Sequence, residues 1–221
     1  MRKFPLLMIF AVMALHGAAS AHDRQDRQAN VERQTRFGKV VGIDDSDSSG
    51  TYAWKGIPFA KAPVGALRWK TPVDPDRWQK ARKTQQFGNA CVQYGRIYGP
   101  GANNRFDPTI GTTLNQAVGS EDCLYLNIWT PADPRGGDRD KDRHDRDRHD
   151  HGRDDDAKGG LPVIVFVHGG SNVSGYTADP VYDGAALART ANAVVVSVNY
   201  RLGIFGFLNV AQLKSGVDLQ E

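Results

Sequence analysis

Apolar positions crowd two stretches in the second half of the chain, "PVIVFVH" at 162–168 and "AVVVSVNY" at 193–200, with almost no polar alternation inside either. Short β-branched runs of this kind predict strands covered on both faces. Between them, "DGAALARTA" at 183–191 sets helix formers at helical spacing, with Asp183 near the start, where a carboxylate suits the helix dipole. Strand, helix, strand predicts a right-handed parallel crossover in an α/β layered core. Upstream, the shorter β-type runs "GKVVGI" (38–43) and "TYAWKGI" (51–57) flank the turn-rich "DDSDSSG" and predict a hairpin. "LYLNIWT" at 124–130 predicts a further strand. "PFAKAPVGALRWKTPVDPDRW" (58–78) is punctuated by prolines and predicts an ordered but irregular surface stretch.

Polar segments break this pattern twice. Residues 22–36, with the near-repeat "HDRQDRQ", are expected to stay mobile. Residues 134–160 alternate acids and bases without an apolar anchor and are expected to form a solvated, disordered loop between two strands. His144, His149 and His151 lie in that loop. The surrounding arginines and lysines repel a cation, and ordering the loop costs entropy, so no metal site is expected there.

The first residues read as an address. Arg2 and Lys3 precede an apolar run from Phe4 to Leu15, and Ala19-Ser20-Ala21 supplies a small-x-small cleavage site. Residues 1–21 are expected to be a signal peptide, with a mature chain starting at His22 and exported to the periplasm or beyond. The run is shorter than the roughly 20 residues that cross a bilayer, which disfavours a membrane anchor, and no later segment is expected to span one.

Composition adds little beyond this. An apolar share of 40% allows a packed core, and 28 basic against 25 acidic residues leave +3 without a coherent basic face. A nucleic-acid partner is therefore set aside. The two cysteines, Cys91 and Cys123, allow one intramolecular disulfide in an oxidising compartment or, alternatively, two buried thiols. Neither has a CxxC or CxxH neighbour that would suit zinc.

The candidate chemistry sits where "PVIVFVH" runs into Gly169-Gly170-Ser171. Glycines at the carboxyl end of a parallel strand leave backbone N–H groups unshielded, at the sheet edge where open α/β folds place ligands. Phosphate loops need GxxxxGK[ST] or GxGxxG leading into a helix, and "GGSNVSGYTADP" matches neither. Oxyanion stabilisation remains. His168, outside the leader, polar tail and charged loop, is the chain's one histidine and could be read as a general base. Asn172-Val173-Ser174 matches a glycosylation sequon, but a glycan there would crowd the site.

The blocks "YAWKGIPFAKAPVGALRWKTP", "SEDCLYLNIWTP", "PVIVFVHGG", "VYDGAALA" and "VVVSVNYRLGIFGFL", in this order, resemble the type-B carboxylesterase and cholinesterase-like branch of the α/β-hydrolases. The resemblance covers the chain from about Phe37 onward, except the charged loop. It implies the N-terminal part of an α/β-hydrolase fold, a mostly parallel central sheet with antiparallel N-terminal strands, filling 37–221. It implies an oxyanion hole donated by the N–H groups of Gly170 and Ser171, with Gly169 permitting the turn and His168 orienting it rather than acting as base. Ser171 departs from the glycine often found there, which bears on pocket size more than on chemistry. The resemblance also implies an Arg68–Glu121 ion pair and a Cys91–Cys123 loop beside the substrate gorge, in which Tyr94, Tyr98 and Phe106 could line the pocket.

A serine hydrolase of this kind needs a GxSxG elbow, then an acid, then a histidine. None of the 221 residues forms that elbow; "GGSNV" fails at its last position. Family members are about twice this length or more, so the chain is expected to be their N-terminal part, lacking the triad. The implied activity is carboxylic ester hydrolysis of a small-molecule ester through a serine ester, with no metal or organic cofactor. The rival readings are a cholinesterase-like binding domain without catalysis and a nonfunctional gene fragment. An unfinished sheet is expected to leave "VVVSVNY" as a free edge, prone to pair with other chains.

Overall fold

The computed structural model describes residues 29–134 and 160–208. The expected signal peptide, most of the charged loop and its histidines lie outside the described residues. Among those described, no helix is long and apolar enough to cross a membrane.

A hairpin forms across the expected turn, but not from the expected first strand: most of the run 38–43 lies in β2 (Lys39–Val41), which pairs in a separate sheet, and Asp44 and Asp45 of the expected turn join the hairpin strand instead. β3 (Ile43–Asp45) and β4 (Thr51–Pro58) pair antiparallel, Asp44↔Tyr52. The turn between them is held by side-chain and backbone bonds: Asp44 Oδ1 accepts the Ser46 amide at 3.1 Å, and the Asp45 carbonyl accepts the Ser49 amide at 2.9 Å. β4 then pairs with β8 (Tyr125–Pro131), with a register shift between Trp54 and Ile57. Gly56, at φ +72°, sits in that shift and donates its N–H to Asn127 Oδ1 at 2.9 Å.

β9 (Val163–Val167), α1 (Ala185–Ala191) and β10 (Val194–Val198) form the expected crossover, with β9 and β10 parallel. Asp183 Oδ1 accepts the Ala185 amide at 2.9 Å and starts the helix, while Asn192 ends it in the left-handed region at φ +47°. The sheet order is β3-β4-β8-β10-β9, and β10 runs antiparallel to β8.

This order corrects two expectations. β10 is an interior strand, so the terminal strand of the described sheet is β9. Nor is β9 covered on both faces: Val163, Val165 and Val167 are 62%, 61% and 58% exposed. One sheet face packs α1 through Ala188, Trp129, Ala53 and Val195. Among the described residues, the other face carries a buried cluster over β4 and β8, where Trp54, Ile57, Val31 and Val40 join Leu126 and Ile128. The valines of β9 continue that second face beyond the cluster.

A further correction concerns the polar N-terminal stretch. β1 (Glu32–Gln34) pairs antiparallel with β2 (Lys39–Val41), and β2 pairs with β5 (Arg82–Lys83). Val31 is buried, and its carbonyl accepts the indole N–H of the buried Trp54 at 2.8 Å. One apolar anchor and a hydrogen bond into the core suffice to order an otherwise polar edge strand.

Cys91 and Cys123 are joined by a disulfide across a separation of 32 residues. On the chain-entropy account, closing such a loop stabilises the fold by about 3 to 4 kcal/mol. Inside the loop, β6 (Gln93–Tyr94) pairs antiparallel with β7 (Ala117–Val118).

Candidate active site

β9 delivers the chain to the glycine turn, and His168 fixes how it leaves the strand. The residue is 2% exposed, its ring stacks on Tyr200 at 4.6 Å between centroids, and the Tyr200 hydroxyl donates to the His168 carbonyl at 2.9 Å. Nδ1 lies 2.9 Å from the Gly169 carbonyl, which can only accept, so Nδ1 carries the proton. Burial pushes the imidazole below the usual histidine value of 6.5. A neutral, enclosed ring with a committed Nδ1 suits an orienting group better than a base open to substrate.

The turn closes on one carbonyl. Gly170 O accepts the amides of Val173 at 3.1 Å and Ser174 at 3.2 Å. Gly170 and Gly175 have φ of +115° and +120°, and Ser171 and Asn172 lie in the left-handed region at +57° and +62°. Glycine is required at 170: a Cβ there would lie 1.9 Å from the Ser174 carbonyl oxygen. No hydrogen bond to a described residue is donated by the amides of Gly169, Gly170 or Ser171, and residues 169–173 are exposed. The Asn172 carbonyl accepts the Gly203 amide at 2.7 Å, fastening the turn to the start of α2 (Gly203–Phe207).

Gly169 and Gly170 border an open cleft of about 970 Å³, whose other walls include Tyr94, Tyr98, Leu114, Tyr176 and Tyr182. Ser171 lies next in the loop, outside that lining. Tyr94 and Tyr98 are 71% and 73% exposed. Phe106 instead borders an adjoining hollow with Tyr98, Ile110 and Tyr176. The cleft is rich in aromatic and aliphatic carbon, with Gly169 and Gly170, whose amides donate to no described residue, at one wall. Such a wall can stabilise negative charge on an oxygen of a largely apolar ligand.

Arg68 and Glu121 meet in a two-pronged pair, Nε to Oε2 at 2.5 Å and Nη2 to Oε1. Glu121 raises the guanidinium's proton affinity further. The pair stands beside the disulfide and α2 rather than in the cleft: Cys91, Cys123, Arg201 and Phe205 share its small cavity. Trp69, next to Arg68, donates its indole N–H to the Ile204 carbonyl at 2.9 Å. Its place is structural, bracing the segment that carries α2.

Buried amide side chains tie these parts together, and sequence reasoning did not single them out. Asn127 Nδ2 donates to Thr177 Oγ1 and Ser197 Oγ, both at 3.0 Å. Asn199 Oδ1 accepts the Thr177 amide at 2.9 Å, and its Nδ2 donates to the Asn89 carbonyl at 2.9 Å. Polar residues inside otherwise apolar strands, as in "LYLNIWT" and "VVVSVNY", were the available signal.

The comparisons with known proteins agree with this architecture. The chain matches the Carboxylesterase family over residues 29–216. It is 34% identical over 177 residues to the para-nitrobenzyl esterase of Bacillus subtilis, covering 80% of this chain and 29% of that one. It is 37% identical to the acetylcholinesterase of Danio rerio over 79% of this chain and 24% of the relative. It is also 37% identical to the fumonisin B1 esterase of Sphingopyxis macrogoltabida, over 80% and 25%. Among solved structures, a thermophilic PNB esterase aligns with TM-score 0.61 at 32% identity, covering 83% of this chain and 30% of that one. The carboxylesterase of Geobacillus stearothermophilus at pH 6.8 aligns with TM-score 0.55 at 34% identity, over 80% and 28%. The chain thus spans less than a third of the length of each of these relatives. With the family matched across most of its residues and its sheet superposing on those esterases, the chain belongs to the carboxylesterase family and shares its α/β-hydrolase fold.

Proposed function

We propose that this chain contributes the charge-stabilising part of a carboxylic ester hydrolase acting on a small-molecule ester. The observation that carries the reading is the turn after β9: the amides of Gly170 and Ser171 have no acceptor among the described residues, and Gly170 borders the cleft. Attack on an ester carbonyl moves negative charge onto its oxygen, and amide donors set in advance lower the barrier by about 3 to 4 kcal/mol each. Gly169 lets the chain turn, and His168 holds the turn against Tyr200.

The acyl transfer itself requires a serine nucleophile with its acid and histidine, and residues 1–221 contain no GxSxG. These residues alone are therefore expected to bind without turning over. Export to the periplasm or beyond fits both the leader-like first 21 residues and the Cys91–Cys123 disulfide, which persists in oxidising compartments.

The test is a chimera in which this chain replaces its matching 177-residue segment in the para-nitrobenzyl esterase of Bacillus subtilis. Saturable hydrolysis of p-nitrophenyl acetate is the expected result. A folded chimera that binds ester but never turns over would favour the non-catalytic binding reading instead.

A further inference from the structure

The disulfide-closed loop and the glycine turn are distant in sequence yet are joined by one side chain. Gln93 is 6% exposed and two residues from Cys91. Its Oε1 accepts the Gly175 amide at 2.9 Å, and its Nε2 donates to the Gly175 carbonyl at 2.9 Å and to the Cys91 carbonyl at 3.0 Å. The side-chain amide thus pairs with both backbone groups of Gly175, as a strand neighbour would, while its second N–H is held by the disulfide residue itself.

Gly175 is the far post of the turn. At φ +120° it packs so closely on His168 that a Cβ would lie 2.3 Å from Nδ1 and 2.6 Å from the Gly169 carbonyl oxygen. Fixing Gly175 therefore fixes the space available to residues 168–169, and with Ser174 bonded to Gly170 O it fixes the turn from both ends. We infer that Gln93 is a positioning residue for the glycine turn: anchored at Cys91, it holds Gly175, and through Gly175 it sets the direction of the Gly170 and Ser171 amides. The catalytic meaning of that direction rests on the ester-hydrolase reading above; the mechanical link does not.

The link is tested on the full 221-residue chain by amide hydrogen exchange, expressed as protection factors corrected for intrinsic rates. Gln93→Met keeps the length and removes all three side-chain hydrogen bonds. It should lower protection of Gly175 by about tenfold or more, the loss expected for a hydrogen bond of roughly 1.4 kcal/mol. It should also lower protection of Val173 and Ser174, which Gln93 does not touch. Interior amides such as Val196 serve as the reference and should hold. Gln93→Glu keeps an acceptor for the Gly175 amide, but when ionised it faces two carbonyl oxygens. Burial and the two facing carbonyls raise that carboxyl above the ordinary glutamate value of about 4.3, and its single O–H can restore one of the two donations, so protection at Val173 and Ser174 should be nearer wild type at about pH 5 than at about pH 8.

Unchanged protection at Val173 and Ser174 in both variants would overturn the inference. So would an equal fall at Val196, which would make Gln93 a general packing residue. A failed esterase chimera would leave these rates as they are, and unaltered rates would remove Gln93's role without touching the esterase reading.

Discussion

Gly175 abuts the imidazole of His168, leaving no room for a side chain between them: a Cβ at 175 would meet His168 Nδ1 at 2.3 Å. The strand that ends at His168 and the loop that returns past Gly175 are thus packed backbone to ring, and the glycine turn is what fits in the remaining space.

Gly175→Ala should therefore unseat the ring as well as strain a backbone at φ +120°. Backbone strain of about 1 to 3 kcal/mol adds to an overpacking cost of similar size. Urea unfolding followed by tryptophan fluorescence should show a loss of at least about 2 kcal/mol, whereas Gly111→Ala, with open space around its Cβ position, should cost less.

The same buried ring makes the fold sensitive to acid. Burial depresses the His168 value below 6.5 in the folded chain. The unfolded chain therefore binds the proton first as pH falls, and its stabilising share, full above about pH 6.5, is lost as pH drops through the folded value. Stability measured from pH 7.5 to 5 should fall, and His168→Gln should flatten that slope. An NMR titration showing the His168 ring protonating above 6.5 would contradict the argument.

Much of the fold could be read from the chain. The hairpin across "DDSDSSG", the crossover between two β-branched runs and the helix begun by Asp183 are local patterns, each set by turn chemistry or periodicity. The cysteine pairing came from family resemblance, since two cysteines alone left free thiols open. Strand order was not legible: an apolar run shows that a strand is buried somewhere, not which neighbour stands on each side. That is why β10 was taken for the edge that β9 occupies. Gln93 escaped notice for a related reason. A side-chain amide pairing with a backbone 82 residues away leaves no periodic mark. Glu32–Gln34 was read as mobile because edge strands can be polar on both faces, and only Val31 gave the anchor away.

The exposed edge of β9 has a consequence in solution. Val163, Val165 and Val167 present an apolar stripe on a strand that has no ladder partner on its outer side among the described residues, the combination that templates strand addition. The 221-residue chain should associate with rising concentration in sedimentation experiments. Val165→Lys, on that exposed face, should shift it toward monomer without loss of secondary structure. A wild-type chain that stays monomeric at high concentration would contradict this.

The central claim is that the turn after β9 aims its amides at the oxygen on which charge builds. It is tested most directly by Gly170→Ala in the esterase chimera, since a Cβ at 170 collides with the Ser174 carbonyl and must rotate the turn. The account expects kcat for p-nitrophenyl acetate to fall by about 10² to 10³ with KM little changed, the mark of an interaction made in the transition state. An unaltered kcat in a folded Gly170→Ala chimera would contradict it.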